Sequence, residues 1–83
     1  MDHDTQEEIT RMIDVVQGMA AKYFANDSAH SAFGILVACE EDYGDDSPVI
    51  GEGIWRGLRE LLKPQNVYVQ AAEDGYLITI ERG

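Results

Sequence analysis

The chain has 83 residues, with 16 acidic against 6 basic side chains and a formal net charge of −10. A chain of this length buries roughly 60% of its surface on folding, which supports one small core and excludes a second domain. The excess of carboxylates excludes a protein that wraps DNA, RNA or an anionic membrane, because phosphate groups favour Lys and Arg. With a single cysteine, Cys39, and acids where a targeting sequence needs bases, we expect a cytoplasmic protein without disulfides.

Residues 5–25 are predicted to form an amphipathic helix, because their apolar residues recur at the helical spacing of i, i+3, i+4 and i+7. The stripe consists of Ile9, Met12, Ile13, Val16, Met19, Ala20, Tyr23 and Phe24. Thr5 and Glu8 have the spacing of a capping box, and Asp4 and Glu7 offer the same spacing one residue earlier. The helix is predicted to begin at Thr5, with residues 1–4 frayed. Asn26-Asp27-Ser28 is expected to end the helix.

Residues 33–40 are predicted to form a strand with Phe33, Ile35, Val37 and Cys39 on one face. The other face is also non-polar, which favours a central position in the sheet. Residues 48–51 are predicted as an optional short strand that pairs back on the first, with the acidic segment 40–46 as the loop between them.

Residues 54–63 are predicted to form a second helix, which Pro64 ends. Gly57 lies at the border of its apolar stripe, where a missing side chain permits close approach of another backbone.

The last segment is predicted to form a β-hairpin with Asp74-Gly75 as its two-residue turn. This turn places Val69 opposite Ile80 and Ala71 opposite Ile78. Val67, Val69, Ala71, Ile78 and Ile80 then share one face. Turn chemistry and hydrophobic alternation agree, which supports the hairpin.

The elements predict an α+β fold of order α-β-(β)-α-β-β, with two helices packed on one face of a three- or four-stranded, mainly antiparallel sheet. Residues 1–83 are expected to form this single domain. The uncovered sheet face would carry Leu36, Ala38, Tyr68, Gln70, Leu77 and Thr79. Among them Leu36, Tyr68 and Leu77 are candidates for a homodimer interface.

The first candidate site is the acidic segment, with Glu40, Glu41, Asp42, Tyr43, Asp45 and Asp46 as partner-binding residues. Carboxylates suit Ca²⁺ or Mg²⁺, but the spacing fails the EF-hand pattern, so we expect no bound metal. A solvated loop is the simplest interpretation, and an acidic contact surface is the alternative. In that alternative, Tyr43 is a candidate anchor for a basic partner.

The second candidate is an anion or nucleotide site formed by Gly51, Gly53, Arg56 and Arg59. A glycine turn before a helix exposes backbone N–H groups that can hold a phosphate. The motif lacks the third glycine of a dinucleotide fingerprint and the Lys-Ser/Thr of a phosphate-binding loop. An ordinary strand-to-helix turn is therefore favoured.

Cys39 and His30 are candidates for a nucleophilic pair, although a thiol on an apolar strand face is more often structural. Together with His3 they do not supply a zinc site. Trp55 is favoured at the edge of the core over an interface anchor. We find no catalytic motif in the sequence and expect neither enzymatic activity nor a cofactor.

These features favour a non-enzymatic interaction module that docks on a basic, nucleic-acid-binding partner, as inhibitors that mimic phosphate do. In layout the chain resembles small proteins of phages and mobile elements. The alternatives are an oligomeric small-ligand binding protein and an accessory subunit of a larger complex. Residues 1–48 hold 11 of the 16 acids and 2 of the 6 bases, so the partner is expected near Tyr43.

Overall fold

The computed structural model describes residues 3–24, 31–39 and 47–82. In chain order the elements are α1 His3–Phe24, β1 Ala32–Ala38, α2 Ser47–Leu62, β2 Asn66–Ala71 and β3 Gly75–Glu81. The strands form one antiparallel sheet in the order β1-β3-β2. The predicted α+β class is confirmed, and the described residues contain three strands.

Helix α1 begins earlier than the capping box predicts. Thr5 and Glu8 lie inside the helix and are 2% and 4% exposed. They extend the buried stripe by one turn ahead of Ile9 and Met12, and this packing adds helix at the N-terminal end. The predicted cap is therefore wrong, and residues 3 and 4, which were expected to be frayed, are helical. The predicted stop at 26–28 lies outside the described residues.

Helix α2 begins at Ser47, so the predicted strand at 48–51 is wrong. Pro48 fits the first helical turn, because its fixed φ suits a helix and its missing N–H has no partner there. Ile50, Ile54 and Leu58 recur every four residues and are fully buried. The sequence predicted this helix to begin at Ile54, but its helical spacing of apolar residues already starts at Ile50.

The two helices run side by side in the same direction, with Ile9 against Gly53 and Ile13 against Gly57. A Cβ on Gly53 would lie 2.6 Å from Ile9 Cδ1, and one on Gly57 would overlap Ile13 Cδ1. The neighbour of Gly57 is thus the Ile13 side chain, and not the backbone that the sequence predicted to approach there.

Helix α2 ends at Leu62, as Pro64 predicts. Lys63 adopts a left-handed φ of 47°, and its N–H donates to the carbonyl of Arg59 at 3.2 Å. This arrangement satisfies one of the last helix carbonyls.

Strand β1 is an edge strand and not the central strand that its two non-polar faces predict, because β3 lies between β1 and β2. Its inner face packs on the helices, with Phe33 and Val37 buried. Its outer face is exposed, with 64% of Leu36 accessible. The outer face is non-polar although the described residues do not cover it.

The hairpin of β2 and β3 is confirmed, but its register is displaced by two residues. Val69 lies opposite Ile78 and Ala71 opposite Tyr76. The turn is Glu73-Asp74, where the N–H of Ala72 donates to the carbonyl of Gly75 at 2.8 Å. Neither turn residue has the positive φ that the mirror-image Asp-Gly turn requires. A displacement of two residues leaves each side chain on its predicted face.

The hydrophobic core fills the space between the helices and the inner sheet face. Its buried members are Ile9, Met12, Val16, Ala20, Phe33, Val37, Ile50, Ile54, Leu58, Val67, Tyr76, Ile78 and Ile80. None of the helices in the described residues has the apolar length to cross a bilayer.

Candidate functional site

One end of the fold brings together acidic side chains from distant parts of the sequence. The backbone N–H of Cys39 donates to the carbonyl of Asp74 at 2.7 Å, so the hairpin turn lies beside the end of β1. The exposed side chains of Glu73 and Asp74 therefore adjoin the point where the acidic segment 40–46 begins. This pair of acids is not among the candidate residues predicted from the sequence.

The first turns of α1 belong to the same end. Arg11 Nη2 donates to the carbonyl of Ala38 at 2.8 Å, which ties α1 to the end of β1. Asp4 and Glu7 are exposed on these turns. We call Asp4, Glu7, Glu73 and Asp74 the acidic end. Segment 40–46 follows Cys39 in the sequence and lies outside the described residues.

Basic residues lie at the opposite end. Lys22 and Arg59 occupy the last turns of the two helices, where cations complement the helix dipole. Lys63 and Arg82 line a cleft of about 450 Å³ together with Phe24 of α1. The net charge is thus separated along the molecule.

Glu8 is a buried carboxylate beside the acidic end. It accepts a hydrogen bond from Arg11 Nε at 2.5 Å and forms an ion pair with the same guanidinium. A carboxylate removed from water needs such contacts. The i, i+3 spacing of Glu8 and Arg11, with Glu8 next to Ile9 and Met12, is the sequence signal that could have identified the pair.

Tyr76 holds the start of α2 against the sheet. Its hydroxyl donates to the carbonyl of Ser47 at 2.5 Å and lies 2.9 Å from Ser47 Oγ. Burial raises the pKa of Tyr76, the hydrogen bond to Ser47 opposes this rise, and charge on Cys39 and Glu8 adds to it. Because Ser47 follows segment 40–46 directly, both flanks of that segment are anchored by polar contacts.

The Tyr76→Phe variant is expected to lose about 1 kcal/mol of unfolding free energy near neutral pH, because the hydrogen bond to Ser47 is removed. At alkaline pH, the unfolding free energy of the variant should fall less with rising pH than that of the wild type. A folded-state pKa above the usual 10.0 gives stability that is complete below pH 10 and falls as the pH rises through the folded value. Urea unfolding at neutral and strongly alkaline pH measures both effects.

Tyr23→Phe, the same substitution on α1, is the control for this measurement. An unchanged alkaline decline in Tyr76→Phe would contradict the assignment of that decline to Tyr76.

The strand-to-helix turn on which the predicted anion site was based is wrong. Gly51 and Gly53 lie within α2 and not in a turn before it, so their N–H groups do not face an open helix end. Arg56 donates to the Glu52 carboxylate at 2.7 Å, and the guanidinium of Arg59 lies 4.8 Å from the Trp55 ring centroid. These residues therefore lack the open helix end on which the predicted anion or nucleotide site was based.

A cleft of about 600 Å³ does lie between α2 and the hairpin. Its described lining is Ser47, Pro48, Gly51, Glu52, Trp55, Val69, Ala71 and Tyr76. The surface is mainly apolar and Glu52 contributes negative charge, so the cleft does not suit an anion.

Trp55 packs against the core, as the sequence analysis favoured, and its Nε1 donates to the carbonyl of Val67 at 3.1 Å. Cys39 is partly buried against the same core. His3 is exposed on α1, with Nε2 2.7 Å from the carboxylate of Glu7. His30, the predicted partner of Cys39 in a nucleophilic pair, lies outside the described residues.

The predicted partner-binding residues Glu40, Glu41, Asp42, Tyr43, Asp45 and Asp46 also lie outside the described part of the chain. Within residues 3–24, 31–39 and 47–82, no group of three or more His, Cys, Asp or Glu side chains could hold a metal ion.

No family model, no curated protein and no solved structure matches the chain. Its function must therefore be inferred from its own geometry and charge.

Proposed function

We propose that the chain is a non-enzymatic interaction module that docks on a basic, nucleic-acid-binding protein through its acidic end. The hydrogen bond between Cys39 and Asp74 carries this proposal, because it adds the acids of the hairpin turn to those of segment 40–46. Carboxylates grouped in this way complement a surface of Lys and Arg that otherwise binds phosphate.

The anchored flanks of segment 40–46 support the same function. Arg11 binds the carbonyl of Ala38 on one side of the segment, and Tyr76 binds Ser47 on the other. Fixed flanks lower the entropy that the segment loses when it contacts a partner. The described acids of the acidic end thus lie on helix α1 and on the turn of the β2–β3 hairpin.

The test uses a basic DNA-binding protein loaded with a fluorescent DNA duplex. We expect the chain to displace the duplex and to do so less well as salt increases, because exposed charges are screened over about 10 Å at 0.1 M. The variant Glu73→Gln/Asp74→Asn should displace the duplex roughly tenfold less well. Asp74 keeps its backbone carbonyl in this variant, so the contact with Cys39 is retained.

The matched control is Glu60→Gln/Glu81→Gln, which changes the net charge equally at the last turn of α2 and at the end of β3, the end of the fold opposite Glu73 and Asp74. We expect this control to stay within about twofold of the wild type. Equal losses in both variants, or displacement that does not respond to salt, would overturn the proposal.

A further inference from the structure

The outer edge of β1 offers backbone groups for pairing. At the two ends of the β1–β3 ladder, Arg82 N–H donates to the carbonyl of Ser31 at 2.8 Å and Cys39 N–H to that of Asp74 at 2.7 Å. Bonding alternates along an antiparallel strand, so the odd-numbered residues face β3. Ala32, Gly34, Leu36 and Ala38 therefore direct their N–H and C=O groups outward.

These outward groups are not paired with another strand of the described residues. The carbonyl of Ala38 accepts from Arg11, which closes that end of the edge. Ala32, Gly34 and Leu36 remain, and they form a set that is symmetric about Gly34.

No contact or backbone angle in the described part of the chain requires a glycine at position 34. A Cβ there would lie 3.6 Å from Thr79 Oγ1, which is an ordinary contact, and its φ is not in the left-handed region. A glycine inside a strand costs roughly 0.5–1 kcal/mol relative to alanine. Where the chain itself does not require one, a strand glycine often marks the close approach of another backbone.

The distribution of charge bears on which partner could pair with the outer edge of β1. Strand β1 contains no charged residue, whereas edge strands of proteins that stay apart usually carry one. Two copies with a net charge of −10 each repel one another over most of their surfaces. The β1 edge is therefore suited to contact with a second copy.

We propose that two copies pair antiparallel through β1, about a two-fold axis at Gly34. Gly34 then lies opposite Gly34 of the second copy, and Ala32 lies opposite Leu36. The side chain of Leu36, 64% exposed in one chain, packs over the space left by the two glycines. The product is one sheet of six strands in the order β2-β3-β1-β1-β3-β2, with an isologous interface.

Sedimentation equilibrium of the full chain, with charge exchange at the two-fold axis, tests this dimer. Gly34→Glu alone and Gly34→Lys alone should each raise the dimer dissociation constant at least tenfold, because like charges directly opposite destabilise a strand pair. An equal mixture of the two variants should form the heterodimer. This recovery shows that the variants are folded and that position 34 faces itself.

Leu77→Lys is the control for docking through the open sheet face, since Leu77 is exposed on that face but lies on β3. We expect it to dimerise within about twofold of the wild type. A chain that stays monomeric at millimolar concentration, or a dimer lost in Leu77→Lys and kept in Gly34→Glu, would overturn the proposal. Salt should strengthen this dimer, because it screens the repulsion between two acidic copies. It should weaken the displacement of DNA, so the two proposals can fail separately.

Discussion

The Gly75→Ala variant is expected to lose about 3 kcal/mol of unfolding free energy, the upper part of the range for overpacked sites. A Cβ on Gly75 would overlap the carbonyl oxygen of Val37 and lie 2.8 Å from Ala38 Cα. These atoms are backbone, so no side-chain rotation relieves the overlap. Relief requires the start of β3 to separate from the end of β1.

Urea denaturation measures this loss, and Gly18→Ala is its control. Gly18 is exposed in the middle of α1, and a Cβ there would meet nothing within 4 Å. Alanine should therefore stabilise the chain at this position by roughly 0.5–1 kcal/mol. If Gly75→Ala cost less than about 1 kcal/mol, the tight junction of β1 and β3 would not exist as described.

Gly75 shows where local sequence signals stop being sufficient. Asp74-Gly75 correctly indicated a hairpin, but glycine was assigned to the turn for its conformational freedom. In the structure, the missing side chain of Gly75 leaves space for Val37 and Ala38 of β1, which are distant in the sequence, and the turn is Glu73-Asp74. The alternation of apolar residues survived this error, because a two-residue displacement does not exchange the faces.

The start of α2 shows the same limit. The sequence predicts a strand-to-helix turn at Gly51-Glu52-Gly53, from two glycines placed just before the predicted helix. Glycine also weakens a helix. In the fold, Gly53 and Gly57 accommodate Ile9 and Ile13 of α1, a tertiary contact that outweighs the weak local preference. Pattern alone could not reveal this, because the partner helix is needed to explain the glycines.

Two of the four acids of the acidic end, Asp4 and Glu7, could be predicted from sequence, as could the acids of segment 40–46, since all of them are evident in the charge distribution. The contribution of Glu73 and Asp74 could not, because it depends on the strand order β1-β3-β2. The expected central position of β1 would have placed different segments beside Cys39. Strand order, and not composition, determines which charges meet.

The Arg11→Met variant is expected to lose about 2 kcal/mol of unfolding free energy. Methionine keeps most of the aliphatic stem, so the change removes mainly the charge and the hydrogen bonds. Arg11 contacts Glu8, whose side chain is 3% exposed, and the carbonyl of Ala38. Because the Arg11 side chain is itself 33% exposed, the loss should be smaller than the roughly 3–5 kcal/mol of a fully buried pair.

A double-mutant cycle with Glu8→Gln separates the two contacts of Arg11. Glutamine keeps the shape of Glu8 without its charge, so the double variant should be about 1 kcal/mol more stable than the sum of the single losses predicts. If the two losses were additive, Arg11 would stabilise the fold through its hydrogen bond to Ala38 and its own packing, and the charge of Glu8 would make no contribution. If the losses are coupled, the Glu8–Arg11 pair that stabilises α1 also holds the end of β1 in place. In variants without this pair, the acidic end would then open locally before the core unfolds.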